Sequence, residues 1–160
     1  MPTQSHRFES PTSTQTLAEG LAEYFATHPG LKRGEDLSPE AREFFQAHDA
    51  VHVVYGCGTS MSDEAVVKLV SLFGTTAGLR ILRGYRLHES LDIYRQLPLF
   101  GTLAALFLAP CLITRTWRRC QRQRMPWPWS GHESYLAVPL REIRDRLGIT
   151  VSHAGDERPA

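Results

Sequence analysis

Lysine is almost missing from this sequence: of eighteen basic residues only Lys32 and Lys68 are lysine, and the rest are arginine. Cysteine is scarce and odd in number. Cys57, Cys111 and Cys120 show no Cys-x-x-Cys spacing, which excludes a readable disulfide framework or cysteine-rich zinc site and fits a reducing compartment. Net charge is nearly absent too, at +1, which argues against a nucleic-acid binder working through bulk charge. No apolar stretch long enough for a membrane span runs unbroken, because Pro98, Gly101 and Pro110 divide the uncharged segment from Gln96 to Thr114. That segment reads as a buried or interfacial helix. Alternating apolar and polar runs of convincing length are missing as well, so the sequence offers little from which to build a sheet.

What is there suffices for one ordinary core. The chain has 160 residues, 42% of them hydrophobic and 22% charged, which excludes a disordered or coiled-coil chain. The near-zero total charge hides a division. Residues 1 to 64 carry four basic and ten acidic side chains, net −6, whereas residues 80 to 124 carry nine arginines against Glu89 and Asp92, net +7. The second region is suited to meeting an anion, since arginine's planar fork favours phosphate or carboxylate. A high-GC genome gives the same arginine bias, so the bias alone selects no ligand.

Residues 1–16 are polar, rich in Ser and Thr and aperiodic, and read as a loose leader without the apolar core of a signal peptide. A helical pattern starts at Thr16, with Leu17, Leu21, Tyr24 and Phe25 on one face, and stops at His28-Pro29-Gly30. Ser38 as N-cap, Pro39 at the first position and Glu40 in the first turn predict a helix from Pro39 to about Tyr55, ended by Gly56 and Gly58. A third helix is predicted over Ser62 to Phe73, capped by Ser62 or Asp63. Residues 79–95 form an amphipathic stretch whose Leu79, Leu82, Arg86 and Ile93 do not sort onto one face. Pro126-Trp127-Pro128-Trp129 predicts a rigid loop, and Pro139 to Gly148 a final helix. The expectation is an all-α, single-domain helical bundle of about six helices over residues 17–151, with a polar tail at 152–160.

The segment His48-Asp49-Ala50-Val51-His52 places two imidazoles one helical turn apart, able to converge on one ion. Glu64 opens the next helix across a short glycine-containing loop, so an antiparallel helix pair brings its carboxylate back toward them. Two nitrogens with one or two oxygens make a site with open positions. It suits a divalent metal, Zn²⁺ first, with Mn²⁺, Fe²⁺ or Mg²⁺ as alternatives, and is unlike a closed structural zinc site. Asp49 lies about 100° around the helix from His48, placed either to ligate or to orient an imidazole.

The string from His48 to Glu64, HDAVHVVYGCGTSMSDE, resembles the signature of the coenzyme Q biosynthesis protein four family: His-Asp, two residues, His, eleven residues, Glu. Gly56 falls where that family has a glycine after the second His, Thr59 falls in its Pro-Thr-Asn-like loop, and Glu64 to Lys68 is similar to its Glu-x-x-x-Lys helix start. Pro139 to Ile149, PLREIRDRLGI, is similar to the family's closing Pro-Leu-x-x-Val-Arg-x-x-Leu-Gly-Ile. Cys57-Gly58 replaces the usual loop residues, and the chain is shorter than typical members.

The resemblance implies an all-α protein of ubiquinone synthesis, peripheral to the bacterial inner membrane on its cytoplasmic side or, in a eukaryote, to the mitochondrial inner membrane on its matrix side. It implies His48, Asp49, His52 and Glu64 as metal ligands and catalytic residues. The implied activity replaces the C1 carboxyl of a polyprenylated 4-hydroxybenzoate-derived intermediate with a hydroxyl, organises the other ubiquinone-biosynthesis enzymes, or both. On that reading Leu99, Leu103, Leu106 and Phe107 line an apolar slot for an isoprenoid tail. Arg80, Arg83 and Arg86, or the Arg115 to Arg124 cluster, meet anionic headgroups, and Trp117, Trp127 and Trp129 suit a membrane interface. An exposed apolar helix would also suit a homodimer. A non-catalytic prenyl-lipid scaffold is the alternative. A third reading, an HD-type phosphohydrolase, needs a further His and Asp, for which His28 and Asp92 offer themselves, and leaves Glu64 unexplained.

Overall fold

The computed structural model describes residues 6–31, 38–84 and 99–152, with side chains at 6–31, 38–82 and 110–152. The fold is all-α, with six α-helices and no strand among the described residues. They are α1 (Leu17–Thr27), α2 (Pro39–Tyr55), α3 (Met61–Phe73), the short α4 (Ile81–Gly84), α5 (Leu99–Gln121) and α6 (Leu140–Leu147).

Helix α2 is the centre of the core. Ser38 accepts from the Ala41 amide and Pro39 opens the first turn, as its sequence predicts. From Ala47 to Tyr55 every residue is buried, so this half of the helix is enclosed on all sides by α1, α3, α6 and the turn Trp129–Tyr135. Gly20 allows α1 to come close, because a Cβ there would lie 2.6 Å from Val53 Cγ1. Gly56 takes the left-handed conformation that ends α2, at φ 66. The chain then turns through Cys57 to Ser60 into α3. Its cap is Ser60 rather than Ser62 or Asp63, since the Ser60 hydroxyl accepts from the Asp63 amide and the helix starts at Met61.

Three expectations change. The predicted leader is ordered from His6 onward: Phe8 is fully buried, edge-on to Tyr24, and the Thr16–Pro139 bridge ties this segment to α6. Its polar composition concealed one aromatic anchor and a set of backbone carbonyls used elsewhere in the fold. Pro110 lies inside α5 instead of dividing it, so the 23-residue helix continues through the basic Arg115 to Arg119 stretch. One missing amide costs a single rung, and the neighbouring turns keep theirs. Trp127 and Trp129 are core residues, at 0% and 9% exposure, not membrane-facing. The Trp127 backbone joins the loop after α3, donating to the Gly74 carbonyl and accepting from the Thr76 amide. Trp117 does face outward, at 46%. Residues 153–160 of the predicted tail lie outside the described residues, while Ser152 is buried and donates its amide to the Tyr55 carbonyl.

No helix among the described residues is long and apolar enough to cross a membrane. Cys57, Cys111 and Cys120 are all free thiols.

Candidate metal centre

His48 and His52 sit one turn apart on the buried half of α2, and the turn after Gly56 sends α3 back along it so that Glu64 faces both. His48 Nε2 and His52 Nε2 are 3.2 Å apart, His52 Nε2 and a Glu64 oxygen 3.2 Å, and His48 Nε2 and the other Glu64 oxygen 3.8 Å. Lys68, one turn further along α3, brings its ammonium to 3.9 Å from the same carboxylate. His52 is fully buried, His48 nearly so, and Glu64 is one-third exposed, which leaves a single open side.

The tautomer of His52 follows from its neighbours. The Gly58 carbonyl lies 2.8 Å from its Nδ1, and a carbonyl only accepts, so Nδ1 carries the proton. In the neutral ring, Nε2 then presents a lone pair to a carboxylate oxygen and to a second imidazole. His48 Nε2 meets the same point, and either its own proton, donated to His52 or Glu64, or a cation held among the three groups satisfies them. The donor spacing suits the latter. Metal–nitrogen and metal–oxygen bonds of ~2.0–2.1 Å in a tetrahedron separate ligand atoms by about 3.4 Å, between the 3.2 and 3.8 Å found here. The Gly58 carbonyl is the kind of partner that fixes a metal-binding imidazole from behind.

Electrostatics favour the ligating forms. Burial lowers the pKa of His48 from its ordinary value, so the ring stays neutral and able to ligate, with Glu64 opposing this. Burial works against the Glu64 charge, but its contacts with the His48 and His52 rings prevail and hold this carboxyl well below the usual range. The donor set fits a divalent cation of the borderline class.

Asp49 does not join this group. The three ligand atoms that lie within 4.8 Å of one another belong to His48, His52 and Glu64, and periodicity turns Asp49 away around α2 toward a cavity beside Leu21, Phe25 and His132. Burial pushes its carboxyl up to about 7, with His52 opposing and Glu64 adding to the rise. Spacing in the sequence brought Asp49 near; only the helix phase decides which wall it faces.

Tyr24, absent from the predicted site, packs its ring against both His52 and His28, with centroids 5.2 and 5.0 Å away. Its place on the apolar face of α1 was the sequence signal. His28 Nδ1 instead meets the Tyr24 carbonyl, so the phosphohydrolase arrangement is not assembled around it, and Asp92 lies outside the described residues. Arg80 is exposed and donates to the Thr76 carbonyl. The side chains of Arg83, Arg86, Leu99, Leu103, Leu106 and Phe107 lie outside the described residues, and the expected lipid slot with them, while Arg115, Arg118, Arg122 and Arg124 of the second arginine cluster are exposed.

No family model, curated protein or solved structure matches this chain.

Proposed function

We propose that this chain is a divalent-metal protein of ubiquinone synthesis that replaces the C1 carboxyl of a polyprenylated 4-hydroxybenzoate-derived intermediate with a hydroxyl, organises the pathway's enzymes, or both. The convergence of His48, His52 and Glu64 across two helices carries this reading, together with the family-like string that contains all three. An open His₂-carboxylate site is a recurrent platform for catalysis, whereas structural zinc usually takes four protein ligands.

Bound Zn²⁺, or Mn²⁺, Fe²⁺ or Mg²⁺, would act as a Lewis acid toward the substrate carboxylate or phenol. His52 is locked by Gly58 with Nε2 toward the ion, Glu64 supplies negative charge, and Lys68 beside it offsets part of that charge. In the overall reaction an aromatic acid plus one oxygen atom gives a phenol plus CO₂. This is a two-electron oxidation, so it consumes an external oxygen-atom donor.

The decisive experiment expresses His48→Ala and Glu64→Ala in a strain lacking its own family member and measures quinone production. Loss of quinone in both supports metal chemistry; full rescue by both overturns it in favour of the prenyl-lipid scaffold. One observation favours that second reading. Ile113 and Trp117 stand one turn apart and exposed on α5 beside the exposed Arg118, a surface suited to an anionic lipid layer.

A further inference from the structure

The cavity that Asp49 faces, of about 240 Å³, opens between α1, α2 and the turn Trp129–Tyr135. Its walls are Leu21, Phe25 and Leu136, with Gln46, Asp49, His132 and Glu133 as its polar groups. The polarity is one-sided: two carboxylates, no lysine and no arginine. Asp49 and His132 are each only 8% exposed, whereas Gln46 and Glu133 are exposed, so acid stands both within the cavity and at its edge. His132 Nδ1 has no hydrogen-bond partner in the fold. A buried imidazole nitrogen left in this condition costs free energy unless something supplies the missing bond.

From this arrangement we infer a binding site for a small organic amine in its cationic form, with a body the size of one ring. An ammonium carries three N–H donors, and the lining offers acceptors on Asp49, Glu133 and Gln46. Phe25 adds an aromatic face for the cation. The volume sets the upper size, since a cavity of ~150 Å³ takes a benzene and one near 240 Å³ has room for a ring plus a short polar arm. A carboxylate ligand is disfavoured by two acids and no base. The inference stands apart from the proposed metal chemistry, because Asp49 faces this cavity and not the His48, His52 and Glu64 cluster.

The test titrates the full-length protein with benzylamine and, separately, with benzyl alcohol, which has the same ring and no charge. Binding is followed calorimetrically at neutral pH, with and without prior chelation of metal. Saturable benzylamine binding is expected, at least tenfold tighter than benzyl alcohol and unchanged by chelation. Asp49→Asn should weaken benzylamine at least tenfold while leaving benzyl alcohol alone, and Leu136→Trp, which fills the cavity, should abolish both. Equal binding of the two ligands, or no saturable benzylamine binding at millimolar concentration, overturns the inference. So does undiminished binding to a folded Leu136→Trp protein. The comparison of ligands on the unaltered chain keeps the test decisive if a variant does not fold.

Discussion

Two buried polar centres share helix α2, and they are finished to different degrees. At its C-terminal end Arg144, only 3% exposed, donates from Nε to Val54, from Nη1 to Ser10, and from Nη2 to both Phe8 and Val53, all backbone carbonyls at 2.6–2.9 Å. With the Cys57 amide on the His52 carbonyl and the Ser152 amide on that of Tyr55, every one of the last four carbonyls of α2 has a donor. A cation at a helix C-terminus also suits the helix dipole. Burial lowers the Arg144 pKa only to about 10, so its charge persists at neutral pH. One turn back along the same helix, His48, His52 and Glu64 bring their ring nitrogens and carboxylate oxygens to 3.2–3.8 Å of one another. The first centre is closed by the protein itself and holds three segments together. The second gathers three possible ligand atoms that, on the proposed reading, a divalent cation completes, and this difference separates a structural polar group from a candidate site better than burial does.

The largest expected effect breaks the closed centre. Arg144→Met should destabilise the chain by ~3–5 kcal/mol in urea unfolding, because it orphans buried carbonyls of α2 and of the N-terminal segment together. A loss below ~1 kcal/mol would show that the clasp is dispensable. Next, Zn²⁺ at a hundred times its dissociation constant should stabilise the unaltered protein by ~2.7 kcal/mol, and a folded Arg144→Met protein by the same amount, whereas Glu64→Gln should lose most of the increment.

Acidification gives a third, smaller effect. Metal affinity should be level above about pH 7 and, with His48 held below its ordinary value by burial, fall only below the usual imidazole range near ~6.5, by at most about tenfold per pH unit for each competing proton. Glu64 adds no inflection there. Its folded pKa is depressed, so its stabilising charge is fully present above the ordinary carboxylate range near ~4.3 and is lost only as pH drops through the lower folded value. A fall that begins above pH 7 would contradict the neutral, buried state of His48. Smallest of all, Ser60→Ala removes the cap that starts α3 and should cost about 1 kcal/mol, with metal affinity reduced less than tenfold.

The same contrast explains what was legible in the sequence. Local chemistry was: Ser38-Pro39 and Gly56 mark both ends of α2, and the one-turn spacing of His48 and His52 marks the cluster. Contacts across the chain were not. Arg144 reaches partners 134 and 136 residues away, so nothing near Phe8 or Ser10 signals that their carbonyls hold the fold, and a polar segment passed for a loose leader. Asp49 stands outside the cluster for a related reason, since adjacency to His48 gives its angle on the helix but not the neighbour that α1 and the Trp129–Tyr135 turn place against it. The cap of α3 moved by two residues because Ser60 and Ser62 are chemically alike, and only the path out of Gly56 chooses between them.

The most direct measurement is the metal content of the purified, chelator-treated protein after equilibrium dialysis against Zn²⁺, alongside His52→Ala and Glu64→Gln variants shown by circular dichroism to be folded. One ion per chain is expected for the unaltered protein and none for either variant. A full ion retained by both variants, or none bound by the unaltered protein, would contradict the assignment of His48, His52 and Glu64 as a metal centre.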